Sequence, residues 1–179
     1  MTDSTNEDGV IIEDISRAQA TIQTEHMRIH NGEMFAAGHL WTEGAAIADN
    51  ANAELLIQLS DAAHFIMNVA AGGDAEIHFF ENPTFSAAGT AVTAHNKNGY
   101  SSSTSTATIT HGPTITGDGI SLGSSLMPGG AGGNAQGGTD SGFAHEWILK
   151  TGNDYLVRVI NRAGITKAIS INISFYTPT

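Results

Sequence analysis

The chain has 179 residues, no cysteine, and seven Lys and Arg against eighteen Asp and Glu, for a formal net charge of −11. The missing thiols exclude disulfides and thiolate metal sites. The acidic balance repels nucleic acid, most of all between Lys97 and Lys150, where no basic residue stands. With 40% hydrophobic and 14% charged residues the chain is long enough for one self-supporting core. No apolar run approaches the ~20 residues of a membrane span, and "MTDSTNEDGVIIEDIS" lacks the basic and apolar regions of a Sec-type signal peptide.

In chain order, residues 1–33 read as an arm. Asp3, Glu7, Asp8, Glu13 and Asp14 precede the first cation, Arg17. Within "IIEDISRAQATIQTEHMRIH", Ile11, Ile15 and Ile22 recur at near-helical spacing, with Asp14 or Ser16 available to cap a short helix, whereas Thr21 to Thr24 also reads as strand. From residue 34 to 179 short β-type runs follow one another: "EMFAAGHLW", "ELLIQLS", "HFIMNVA", "AEIHFF", "TAVTAHN", "TSTATIT", "GISLGSSL" and "HEWILK". In "AISINISFY", Ile169, Ile171, Ile173 and Phe175 alternate with polar residues, the period of a half-buried strand. "DYLVRVINRAG" sets Tyr155, Val157 and Val159 on one face and joins that last strand through Arg162 to Thr166, which predicts an antiparallel hairpin. Turn signals at Gly72-Gly73-Asp74, Asn98-Gly99 and Gly117-Asp118-Gly119 separate the runs. No segment is repeated. The expected fold is all-β, an antiparallel β-sandwich of jelly-roll type over 34–179, with an N-terminal extended arm that has room for a short helix.

Each chemical motif conflicts with that architecture. Gly130-Ala131-Gly132-Gly133-Asn134-Ala135 satisfies G-x-G-x-x-[GA], but a dinucleotide loop needs a parallel strand before it and a helix after it. Here "QGGTDSGF" follows and no lysine is near. A surface loop whose glycines supply conformational freedom is the expectation. Gly119-Ile120-Ser121-Leu122-Gly123 matches the nucleophile elbow, with Asp140 and His145 following in triad order, yet no βαβ alternation supplies the sheet an elbow stands on. Of eight histidines, His26 and His30 are four apart and share one face if helical, which makes them weak metal-ligand candidates without a third ligand. The other six are scattered singly and read as neutral structural groups. Sequence separation does not exclude a carboxylate pair for glycoside hydrolysis. A sugar platform has few aromatics to draw on, and Trp41 and Trp147 read as core anchors. The expectation is no enzyme, no cofactor and no dedicated metal.

The segments "EHMRIHNGEMF", "EIHFFENPTFSAAGTAVTAHNKNG", "GPTITGDGI" and "EWILKTGNDYLVRVINRAG", with the closing "ISINISFY", resemble small structural proteins of tailed-bacteriophage virions. The resemblance is to the capsid decoration, cement or head auxiliary type, and it runs from about Glu25 to Tyr176. It implies a viral protein of the virion: a β-sandwich that forms a homotrimer on the outer capsid surface and clamps copies of the major capsid protein, with neither nucleic acid nor membrane as partner. Contact residues expected on this reading are Ile11, Ile12, Ile15, Arg17 and Ile22 in the arm, and Gly129, Gly130, Gly132, Gly133 and Asn134 in the loop. A head fibre, neck or tail component is the alternative within the same class, and a carbohydrate-binding β-sandwich module the alternative outside it.

Overall fold

The structure, a computed structural model, describes residues 4–5, 10–12, 19–21, 24–42, 44–129 and 146–177. Three short strands, β1 (Ser4–Thr5), β2 (Val10–Ile12) and β3 (Gln19–Thr21), pair antiparallel in the order β1-β2-β3. Helix α1 spans Thr24–His30; Gln19–Thr21, inside the segment expected as helix, is instead paired with β2, and the expected caps Asp14 and Ser16 lie outside the described residues. The helix stops at Gly32, whose φ of 70° lies in the left-handed region. Gly32 N–H donates to the Ile29 carbonyl and Glu33 N–H to that of Arg28, the bond pair of a Schellman ending.

The sandwich follows: β4 (Met34–Trp41), β5 (Asn52–Gln58), β6 (Ala63–Ala71), β7 (Ala75–Glu81), β8 (Thr84–Ala87), β9 (Thr90–Val92), β10 (His95–Asn96), β11 (Thr108–His111), β12 (Thr114–Gly117), β13 (Ile120–Met127), β14 (Trp147–Leu149), β15 (Asp154–Asn161) and β16 (Ile169–Tyr176). One sheet has the order β10-β4-β16-β6-β14 and the other β13-β7-β15-β5-β11-β9. The chain runs out through β4 to β7 and back through β13 to β16. Each outgoing strand pairs antiparallel with its returning counterpart, β4 with β16, β5 with β15, β6 with β14 and β7 with β13. A long antiparallel ribbon rolled up in this way is a jelly roll.

Alternation places one face of every strand inside. Leu55 and Ile57, Phe65 and Met67, Ile77 and Phe79, Tyr155 and Val157, and Ile171 and Ile173 meet in one buried cluster between the sheets. Trp41 is buried there and Trp147 packs against its margin, as core anchors do. The expected β15–β16 hairpin is corrected: β15 belongs to one sheet and β16 to the other. Alternation specifies which face is buried but not which strand is the neighbour, and here the connection changes sheets around Asn161. That buried side chain donates to the carbonyls of Ile47 and Ile165, at 2.8 and 2.7 Å, and accepts from the Ala163 N–H.

Residues 82–119 are an excursion between β7 and β13. After Asn82 (φ 55°) the chain bends, and β8 and β12 form a separate two-stranded ribbon. The return bend needs Gly119: its φ is 79°, and a Cβ there would lie 2.3 Å from the Glu81 carbonyl oxygen. The ribbon leads from β7 and β13, at one side of the six-stranded sheet, to β9 and β11 at the other, so it must pass β15 and β5. Leu56 and Leu156 alternate away from the inner core yet are both 0% exposed, and Phe80 beside them is buried. The Thr110 hydroxyl, on the same outer face, donates to the Ala88 carbonyl at the end of β8. The ribbon is therefore a strap that gives this sheet a second apolar layer.

Leu156→Ala removes a side chain buried beneath that strap. It is expected to lower stability by about 2–5 kcal/mol, the range for an interior leucine, in urea unfolding. A loss below about 0.5 kcal/mol, typical of surface positions, would show that the strap leaves this face wet.

Candidate functional site

Among the described residues, four polar clusters of the sandwich bear on function or on the shape of the site. The first is the free side of β4. Strand β10 accompanies β4 only as far as the pair His95 and Ala36, so Ala37 to Trp41 have no described strand partner on that side. A groove of about 620 Å³ opens there, lined in part by Gly38, His39, Val92, His95, His111 and Asn172. His39 of β4 and His111 of β11, one from each sheet, stack with ring centroids 3.6 Å apart and planes 11° from parallel. Trp41 stands edge-on to both, at 4.6 and 6.1 Å. Burial, and then the neighbouring His111, holds the His39 imidazolium below the ordinary histidine range.

The second place is the outer face of the five-stranded sheet beside α1. His64 stacks on Tyr176 at 4.5 Å, Arg28 lies 5.3 Å over the Tyr176 ring, and the Tyr176 hydroxyl donates to Glu146 Oε1 at 3.0 Å. Burial, with the carboxylate of Glu146 second, raises the Tyr176 phenol above its usual range. Glu25, Met34 and Ile66 complete a groove of about 330 Å³.

The other two are structural ties. Glu81, buried at the end of β7, sits 2.9 Å from Lys150 Nζ and accepts from Asn153 Nδ2 at 2.9 Å and the Tyr155 hydroxyl at 3.0 Å. The Lys150 bond foremost, then that of Asn153, holds its carboxyl below the usual range. Tyr155 in turn accepts from the Lys150 N–H, so one carboxylate fixes the β14–β15 turn. On the outer face of the six-stranded sheet Arg158 contacts Glu54 at 2.5 Å and Asp118 at 2.8 Å, with its guanidinium 5.4 Å from the Phe80 ring centroid. Burial opposes its charge, but the two carboxylates outweigh that and raise it above the ordinary arginine range. Asp118 stands at the returning end of the strap, so this pair latches strap to sheet.

The residues singled out by motif are dispersed. Ser121 stands exposed within β13, opposite Phe80, with strand on its C-terminal side instead of the helix an elbow requires. Asp140 and His145 lie outside the described residues. Among the expected contact residues, Ile11 and Ile12 belong to β2, and Gly129 donates its N–H to Asp74 Oδ1, which ties the start of the glycine loop to the β6–β7 turn. Ile15, Arg17, Ile22, Gly130, Gly132, Gly133 and Asn134 lie outside the described residues. His26 and His30 are brought together on α1, with their Nε2 atoms 3.0 Å apart. No group of three or more His, Cys, Asp or Glu suited to a metal ion occurs among the described residues. Sequence reasoning missed the His39–His111 stack. The two are 72 positions apart and meet only through sheet packing, so no local spacing marks them.

No family model, no curated protein and no solved structure matches the chain.

Because the folded chain resists protonating His39, the unfolded chain binds more protons as pH falls through about 6.5. Its stability contribution is present above that value and is lost progressively below it, down to the lowered folded value. The urea midpoint is expected to fall between about pH 7.5 and pH 5. His39→Phe, which keeps an aromatic ring in the stack without a titrating nitrogen, should lose less over the same interval. Equal losses in both chains would assign the effect to other groups.

Proposed function

We propose that the protein is a non-enzymatic capsid decoration protein of a tailed-bacteriophage virion, a homotrimer that binds the outer surface of the head and braces the major capsid protein lattice. The observation that carries most of this reading, beside the sequence resemblance, is the side of the sandwich where β13 and β14 are the terminal strands of their sheets. Trp147 of β14 packs edge-on against Phe79 of β7 at 5.4 Å, so the two free edges lie on the same side. Leu126 on β13 is 74% exposed and Ile148 on β14 is 71% exposed. Large aliphatic side chains on strands whose outer edges have no partner among the described residues suit an interface between subunits or with a lattice.

Electrostatics supports the same reading. Arg28, Lys97, Lys150, Arg158 and Arg162 are each engaged by a carboxylate of the chain itself. Asp49, Asp61, Asp74 and Glu146 stand exposed, and this acidic surface fits a basic patch on the capsid protein. The polar clusters serve to hold strands, turn and strap in place, which suits a protein whose task is to remain folded on a particle. Lattice contacts repeat in many copies, so each can be weak while the array is held by avidity. The arm isoleucines and the glycine loop are further contact points on this proposal.

The test mixes purified undecorated heads with the protein and counts copies bound. Occupancy approaching that of the lattice is expected, with a solution mass of three chains. Fully burying one aliphatic side chain stabilises by about 1.5–3 kcal/mol, so Leu126→Asp or Ile148→Asp should weaken binding or trimerisation about tenfold or more. A few copies per particle would assign the protein to a neck or tail station. No association with heads at all would overturn the proposal.

A further inference from the structure

We propose that His26 and His30 form a two-point clip for a divalent transition metal of the kind imidazole nitrogen favours, Cu2+ above Ni2+. Both residues are exposed on α1, with ring centroids 4.5 Å apart, planes at 71°, and Nε2 atoms converging to 3.0 Å. Imidazole nitrogen binds these metals at about 2.0–2.1 Å. An ion at that length from both Nε2 atoms is reached when the two rings turn from facing each other, as in the 3.0 Å contact, to facing the ion.

The clip is held in shape before any metal arrives. A seven-residue helix is too short to persist alone, and α1 is fastened from several sides. Asn98 Nδ2 donates to the His30 carbonyl at 2.9 Å, and Asn96 Nδ2 to the Gly32 carbonyl at 2.7 Å. Lys97 pairs with Glu25 at 3.3 Å, while Arg28 reaches Glu33 at 2.6 Å and lies over Tyr176. These contacts fix the i, i+4 face on which both imidazoles stand, so the backbone needs no further ordering when a metal bridges them.

Without metal the 3.0 Å separation is a hydrogen bond, one ring donating Nε2–H to the other ring's Nε2 lone pair. On metal binding the donor ring moves that proton to its own Nδ1, and both Nε2 lone pairs face the ion. Two protein ligands leave the remaining positions to water. The site is therefore exchangeable, in contrast to a closed structural site with four protein ligands. Its preference follows the general order for nitrogen sites, Cu2+ above Ni2+.

The test is a calorimetric titration of Ni2+ and Cu2+, then Zn2+, into the full chain purified without a polyhistidine tag, at about pH 7.5 where neutral imidazole is the binding form. The result expected is one equivalent of Ni2+ bound by the native chain and lost at least tenfold in affinity in both His26→Gln and His30→Gln. His95→Gln, on β10, is expected to bind as the native chain does. Unchanged far-ultraviolet circular dichroism in the variants would show that α1 persists, and a visible Cu2+ band present in the native chain and absent from His26→Gln would report nitrogen ligation directly. Native-like Ni2+ affinity in His26→Gln or His30→Gln overturns the proposal, as does Ni2+ binding more tightly than Cu2+ at this site.

Discussion

Phe65 of β6 and Phe79 of β7 stack 5.7 Å apart across the space between the sheets, and Tyr155 stacks on Phe79 from β15 at 5.8 Å. These three rings come from segments that the rolled ribbon must bring together for any sheet to bury its inner face. Tyr155 and Phe65 are each 1% exposed and Phe79 is 0% exposed, so the rings are enclosed by one another, by Trp147 and by the neighbouring aliphatics. Burial of side chains this large is non-directional. Direction is supplied at the rim, where the Tyr155 hydroxyl reaches Glu81 and the backbone of Lys150. One residue thus belongs to the apolar interior at its ring and to an ionic tie at its oxygen.

The six-stranded sheet has a second dependency. Its outer face carries Leu56, Leu156 and Phe80, a row that would be wet without the strap of β8 and β12. The strap in turn stays closed because Arg158 joins Glu54 of the sheet to Asp118 of the strap. A cation held between two carboxylates over an aromatic ring favours one arrangement of both elements. The groove on the far side follows from the same excursion. After crossing the sheet, the chain lays β9 beside β11 and delivers β10 to β4, and where β10 ends the free edge of β4 begins.

Much of this was legible in the sequence and some was not, for a common reason. The strict alternation of "AISINISFY" and the apolar face of "DYLVRVIN" identified strands and their buried sides, and the jelly-roll class followed from strand count and the absence of helices. The same alternation led to a hairpin where the chain changes sheets, because period two encodes a face and leaves the partner open. "TAVTAHN", which reads as one strand, is split between the two sheets as β9 and β10. "TFSA" and "TITG" are too short and too polar to stand out as strands, so the strap was invisible although its hinges, Asn82 and Gly119, are turn residues. Within the segment expected as helix, Gln19–Thr21 is strand and Thr24–His30 is helix, which includes the two histidines whose spacing had marked them.

The stacked histidines sharpen the contrast. His26 and His30 meet because a helix returns to the same face after four residues, a rule contained in the local sequence. His39 and His111 meet because two sheets lie face to face, and only the fold decides that. Both pairs place two imidazoles in contact, but their surroundings give them opposite tendencies. The exposed pair stands open to water with its Nε2 atoms 3.0 Å apart. In the inner pair His39 is stacked face to face on His111 beside Trp41 in a partly buried setting, where an added proton on His39 meets both desolvation and the neighbouring imidazole. Identical side chains are therefore placed in opposite settings, water-facing on the helix and cation-resisting at His39 between the sheets, and geometry rather than residue type sets the difference.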